Sequence, residues 1–365
     1  MNFSFVDTLG GYLPPQNISL ISQVHPPPTF TQLKPSLIEG LPDGILALIA
    51  PVVAYWTYSS FFHIIDVYEL AEKYRIHPSE EELSRNKVTL RQVVYDVILQ
   101  HIIQTVVGYV VYRIDPPSTI GHELNFMWHM RQWLPSFVPN VVVWFMYTYL
   151  WPTFRLVAAI CIIDTWQYWL HRYMHTNKTL YKRFHSRHHR LYVPYAYGAL
   201  YNDPVEGFLL DTLGTGVAGI ITQLSARESI FLYTFATMKT VDDHCGYRLP
   251  YDLFQIIFPN NSVYHDIHHQ IWGIKHNFSQ PFFTIWDRMF KTEYEFVEEY
   301  RSEQHQITLE KYRLFLKNRK AAKSKNPKIG LEASTSVQVS EIRVNQDMEE
   351  STSEDTLEFE EKKDI

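Results

Sequence analysis

Four long apolar stretches dominate the pattern of this chain, each broken or ended by a few polar residues at helical spacing. The first, Ile45 to Ile65, is long enough to cross the hydrocarbon core of a bilayer. The second, Val93 to Tyr112, is interrupted by Asp96, Gln100, His101 and Gln104, which recur near every fourth position. That recurrence predicts a helix with one face turned toward protein rather than lipid. In the third, Val138 to His175, Pro152 and Arg155 predict an apolar segment, a kink and then a helix. Asp164, Tyr168, His171 and His175 share one stripe of that helix. The fourth joins Phe208–Ile221 to Ile230–Met238 across Ser225, Arg227 and Glu228, and predicts a helical hairpin entering the bilayer from one side. The expected fold is all-α: an integral membrane bundle of about four spanning or re-entrant segments.

The flanks read differently. Residues 1–41 are rich in proline (Pro14, Pro15, Pro26, Pro27, Pro28) and predict an irregular arm. Asp66 to Arg91 is charged, with room for a short surface helix, and Pro259-Asn260-Asn261 marks a turn. Beyond Tyr312 the chain is Lys-rich and then Glu/Ser/Thr-rich, too polar to bury a core, so disorder is expected there. The plan is an arm over 1–41, a membrane domain over 42–311 and a tail over 312–365.

Composition adds limits. Of 365 residues 15% are aromatic, which suits the belts that membrane proteins place at the bilayer surface. A net charge of −6 lacks the basic footprint of a nucleic-acid binder. Cys161 and Cys245 cannot build a disulfide framework, which fits a reducing compartment. The N-terminus has no basic region ahead of an apolar one, so the stretch from Ile45 is expected to be an anchor rather than a cleaved signal. Lys73, Arg75, Arg85, Lys87 and Arg91 follow the first stretch, and Lys178, Lys182, Arg183, Arg187 and Arg190 follow the third. The positive-inside rule puts both regions in the cytosol and the arm in the lumen. The terminal Lys362-Lys363-Asp364-Ile365 resembles a dilysine signal for retrieval to the endoplasmic reticulum.

Chemistry concentrates where the apolar stretches end. His171-x3-His175, His185-x2-His188-His189 and His265-x2-His268-His269 each place imidazoles on one helix face. Neutral imidazole is the commonest metal ligand, and eight rings in three tight groups point to a metal site, with enough donors for two ions. A structural zinc site needs about four ligands, commonly thiolates, so this supply exceeds it. Two iron centres with room for O2 fit better, since such iron breaks unactivated C–H bonds of the kind lipid chains carry. Zinc outcompetes iron at many nitrogen sites, so zinc on purified protein would not define the working metal. Cys245 is expected to stay outside the site, and the remaining histidines to be ordinary core or surface residues, with His276 the nearest to a supporting role.

The three clusters, in this order and spacing, resemble the membrane fatty acid hydroxylase superfamily, which includes sterol desaturases and sphingolipid hydroxylases. Asp242-Asp243-His244-Cys245-Gly246-Tyr247 matches that family's further histidine before a Gly-Tyr step, which makes His244 a ninth candidate ligand. His171-Arg172-Tyr173-Met174-His175, Tyr192 to Gly198, Pro204-Val205-Glu206-Gly207 and Tyr264 to His269 look most like the fungal sphingolipid C4-hydroxylases. The likeness is strong over 164–291 and loose upstream. It implies a cytosolic di-metal cap held by His171, His175, His185, His188, His189, His244, His265, His268 and His269. It also implies two iron ions, O2, and oxygen insertion at C4 of sphinganine or dihydroceramide. Electrons would come from NAD(P)H through a separate cytochrome b5 and its reductase, because no His-Pro-Gly-Gly heme turn is present. Glu206 and Asp211 are candidates to orient ring N–H groups, and Asp203 or Asp243 to complete a coordination sphere. Asn202-Asp203 stands where several sterol-acting relatives place a histidine before the proline, which weakens a sterol substrate.

Rival readings are a sterol oxidase or desaturase, or a fatty acyl 2-hydroxylase, on the same scaffold. A metal transporter would instead need ligands along several spans.

Overall fold

A computed structural model describes residues 17–325, with side chains through residue 318. Four helices carry the apolar stretches: α1 (Asp43–Val67), α2 (Leu90–Ile114), α3 (Asn140–Thr176) and α4 (Pro204–Thr222). Each is long and apolar enough to span a bilayer, and the chain is an all-α membrane protein. Val53, Ile64, Ile102, Val106, Phe154 and Ile220 remain exposed on their outer faces, as lipid contact requires. Between and after them run α5 (Ala226–Asp243), α6 (Ser262–His269) and α7 (Val297–Lys325). The chain divides after Thr308 into a large unit and a second beginning at Leu309, whose described part is helical to Lys325. Helix thus continues past Tyr312, where the composition predicts order to end; the rest of the expected tail, with its dilysine ending, lies outside the described residues.

Local chemistry sets the helix starts. Thr89 and Gln92 form a capping box at α2, Ser225 and Glu228 another at α5, and Asn261 accepts from Val263 and Tyr264 to start α6. α3 differs from expectation. It is one continuous helix, and a π-helical turn at Met146–Leu150 lies just before Pro152, whose ring nitrogen has no hydrogen to donate. The arm is not wholly irregular either. Gln32–Leu33 (β1) pairs antiparallel with Thr119–Ile120 (β2), and Ile21 is buried with Met127 and Val143.

The hairpin is formed by α4 and α5, and its arms splay. α4 packs on α3, while α5 lies along α1. Ala159 and Ile163 of α3, Ala218 of α4 and Leu232 of α5 close one apolar core. A larger core gathers Tyr55 and Phe62 of α1, Val93 and Val97 of α2, and Leu191, Tyr201, Val241 and Tyr247. Gly108 lets α2 pack closely on α1; a Cβ there would sit 2.4 Å from the Leu48 side chain. Asp96, Gln100, His101 and Gln104 face protein as their spacing predicts: Asp96 pairs with Arg187, Gln100 and His101 are buried, and Gln104 lines a cavity.

The C-terminal ends of α1, α3 and α5 and the N-terminal ends of α2 and α4 meet on one face. Lys87 N–H donates to Arg190 O at 2.9 Å, Asn86 holds Val193, and Tyr247 OH donates to Asp66 at 2.5 Å. The loop after α1 and the histidine region therefore share a side. At the opposite end Arg227 pairs with Asp43 and Arg155 with Glu228.

Candidate metal centre

All nine candidate histidines come together on that shared face, in two groups: His171, His175, His185, His189 and His268, and His188, His244, His265 and His269. Within each group the available ligand atoms lie within 4.8 Å of one another. α3 supplies His171 and His175, a 3-10 segment at His185–Arg190 supplies three rings, the end of α5 presents His244, and α6 gives the last three. The i, i+3, i+4 triplet on α6 does not serve one point. His265 and His269 enter the four-membered group and His268 the five-membered one.

The direction of each ring follows from its Nδ1 partner. His171 donates to Phe278 O at 2.8 Å, His188 to Tyr201 O at 3.1 Å, His244 to Thr240 O at 2.8 Å, His268 to His276 O at 2.7 Å and His269 to Leu191 O at 2.7 Å. His185 Nδ1 meets the buried Glu206 carboxylate. A carbonyl can only accept, so in these rings Nδ1 holds the proton and Nε2 keeps its lone pair. The Nε2 atoms then face each other: 3.0 Å for His171 and His185, 3.2 Å for His171 and His175, 3.0 Å for His185 and His189, 3.4 Å for His188 and His244, and 3.1 Å for His265 and His269. Where carbonyls fix both rings, as for His188 and His244, two lone pairs face each other and cannot hydrogen-bond. Ligands at right angles around an ion with metal–nitrogen bonds of about 2.1 Å would stand about 3.0 Å apart. His268 Nε2 is buried with no partner among the described residues, an orphan that a metal would satisfy. The donor set fits two metal ions.

Electrostatics favours the ligand form. Burial, followed by crowding of neighbouring rings, holds His185, His189, His265, His268 and His269 well below the usual imidazole range. Burial takes His188 down to about 3 and His244 to about 4. These rings stay neutral, as metal binding requires.

The frame behind the rings is largely carboxylate. Asp164, on the α3 stripe, accepts from Phe282 and Phe283 N–H at 3.1 and 2.7 Å. Asp287 accepts from Phe278 and Ser279 N–H, Tyr264 OH and Thr292 OH at 2.5–3.0 Å. Together they fix the 276–283 loop whose carbonyls hold His171 and His268. His276 contributes its backbone carbonyl to this frame rather than its ring. Nothing in the spacing marks Asp287. His77, buried against Asp266, Glu81 and Tyr300, is a hydrogen-bonded core histidine.

Among the other expectations, Glu206 reaches a ligand ring, whereas Asp211 does not; its carboxylate accepts from the Asn202 amide at 3.5 Å. Asp203 caps the start of α4 and Asp243 pairs with Lys239, so neither joins the histidine groups. Cys245 bonds locally with Tyr247. A chamber of about 20 Å³ touches His185, His188, His244 and His265. It shares Gln167, Asp211, Thr240 and Pro281 with a cavity of about 810 Å³ that lies between α1, α2 and the splayed hairpin.

Residues 156–292, which contain every ring of both groups, match the fatty acid hydroxylase family. The chain is 57% identical to a sphingolipid C4-hydroxylase of Saccharomyces cerevisiae, over 81% of this chain and 84% of that protein. It is 45% identical to sphinganine C4-monooxygenase 1 of Arabidopsis thaliana, over 68% and 87%. A very-long-chain aldehyde decarbonylase of Oryza sativa subsp. indica is 41% identical over 68% and 88%. No solved structure matches significantly. Similarity that spans both the histidine-bearing region and most of the membrane helices makes this chain a member of the fatty acid hydroxylase family.

Proposed function

We propose that this chain is an O2-dependent di-iron monooxygenase that hydroxylates C4 of sphinganine or dihydroceramide, giving phytosphingosine-type bases. The convergence of Nε2 lone pairs in two adjacent groups carries the reading. Its likeness to enzymes named for sphingolipid and sphinganine C4 chemistry supports the position oxidised. His171, His175, His185, His189 and His268 would hold one iron, and His188, His244, His265 and His269 the other. With O2, two irons supply the power to break an unactivated alkyl C–H bond, which no side chain has.

The chain's own residues do the rest. Backbone carbonyls and Glu206 lock the rings with Nε2 inward. The long cavity accepts an alkyl chain; its volume lies in the range of about 300–1,000 Å³ usual for ligand pockets. The narrow chamber limits what reaches the rings to one end of the substrate. Electrons come from NAD(P)H through a separate cytochrome b5 and its reductase, with Lys178 to Arg190 offering basic residues to an acidic partner. The chain lies in the endoplasmic reticulum membrane with its histidine face and C-terminus cytosolic. Ligands confined to one end of the bundle argue against a transport path along the spans.

The test is expression in cells lacking sphingoid-base C4 hydroxylation, with long-chain bases measured by mass spectrometry. A trihydroxy base should form with the intact chain and not with His188→Ala. An altered sterol or 2-hydroxyacyl profile with unchanged bases would overturn the substrate.

A further inference from the structure

We propose that Asp211 anchors the cationic amine of a free sphingoid base, which makes the free base the preferred substrate over its N-acylated form. The inference deepens the C4-hydroxylase reading and rests on it. Asp211 sits in a π-helical turn of α4, Phe208–Leu213. In a regular α-helix a residue five positions after Glu206 would be rotated about 140° away from it. With the wider turn, Glu206 and Asp211 both line the small chamber beside His185 and His188. The other carboxylates on that chamber are matched by protein groups: Glu206 by His185 and Asp243 by Lys239. Asp211 has no cationic partner among the described residues, and its hydrogen bond to Asn202 is at the limit of length, 3.5 Å. A part-buried carboxylate facing a cavity without a counter-charge is suited to a ligand that brings one.

Substrate chemistry gives the placement. In a sphingoid base the amine is on C2, two carbon–carbon bonds from C4, so whatever binds it must stand beside the reacting position. Asp211 is shared by the chamber at the histidines and the long cavity, which is where a head group would sit with C4 at the rings and the tail behind it. The chamber of about 20 Å³ has room for about one water-sized group, so the alkyl tail stays in the long cavity, with Asp211 where the two meet. N-acylation turns the amine into a neutral amide, which brings Asp211 no counter-charge.

The experiment uses full-length protein in liposomes and displacement of a fluorescent sphinganine analogue by octadecylamine or octadecanol at neutral pH. Iron per chain is measured alongside. Wild type should favour the amine at least tenfold, and Asp211→Asn should bring the two within twofold at unchanged iron. Asp211→Glu, which keeps the charge, should retain the preference and covers the case of an Asn variant that does not fold. In turnover, Asp211→Asn should raise KM for sphinganine at least tenfold with kcat within threefold, and change dihydroceramide hydroxylation less than twofold. The anchor is overturned by a wild type without amine preference, by an Asn variant that keeps it, by equal losses on both substrates, or by iron loss as the sole effect. An amine preference abolished by Asp211→Asn in a protein that forms no 4-hydroxy base supports the anchor and overturns the C4 reading.

Discussion

Acid should unfold the metal-free protein over a narrow range, and the size of the effect follows from the histidines. His185, His188, His189, His244, His265, His268 and His269 lie outside the spans and are all held below the ordinary imidazole range, chiefly by burial. Their folded-state values are below the unfolded value of about 6.5, so on acidification the unfolded chain takes up protons that the folded one refuses. The stabilisation is fully present above pH 6.5 and is lost as pH falls. One unit below, each ring that stays neutral costs about 1.4 kcal/mol, and seven would cost about 10 kcal/mol. That is comparable to the whole stability of a typical domain, about 5–15 kcal/mol. At about 2 °C per kcal/mol for a chain of this size, chelator-treated protein should melt about 20 °C lower at pH 5.5 than at pH 7.5. Differential scanning fluorimetry in detergent across that range measures it. A melting temperature constant to within about 3 °C would refute the claim that these rings are buried in the neutral form.

Three further outcomes are expected. Glu206→Leu leaves the His185 Nδ1–H buried without its carboxylate, at a cost of about 1–3 kcal/mol, and should weaken metal retention about 10–100-fold; full iron in that variant after graded chelation would count against the geometry. His77 behaves oppositely to the metal-site rings: burial opposes its charge, but Asp266 outweighs burial and lifts it to about 9. Its contribution is present below pH 6.5 and lost as pH rises toward 9, so His77→Leu should flatten the alkaline fall in melting temperature, and an unchanged slope would contradict the pairing. Gly216 lines the long cavity and a Cβ there meets nothing within 4 Å, so Gly216→Leu should fold normally yet shift product toward shorter-chain bases; an unaltered chain-length profile would mean the substrate lies elsewhere.

The spans were legible because length and apolarity are properties of contiguous sequence, and the polar stripe of α2 was legible because helical spacing maps directly onto a face. Histidine clustering announced a metal site for the same reason. What spacing could not show was the partition of the rings. The α6 triplet looks like one unit, yet the rings at i and i+4, His265 and His269, enter one group and the ring at i+3, His268, enters the other. Asp287 was invisible because its role depends on a loop that comes near only after the chain has crossed back. The π-turn of α4 had no periodic signal, since one widened turn leaves the apolar run intact. Glu206 and Asp211 looked equivalent in sequence, and only the fold gave one a ring and the other a cavity.

Five of the rings are held by main-chain carbonyls, those of Leu191, Tyr201, Thr240, His276 and Phe278. A carbonyl survives every side-chain replacement. A saturation mutagenesis map of this protein would therefore show the histidines and Glu206 as intolerant for their side-chain chemistry, and Leu191, Tyr201 and Phe278 as intolerant for their buried bulk rather than for the carbonyls they supply. Much of the architecture that aims the ligands is written in a part of the polypeptide that codon changes cannot delete, and substitutions at these positions act on the rings only by moving the backbone.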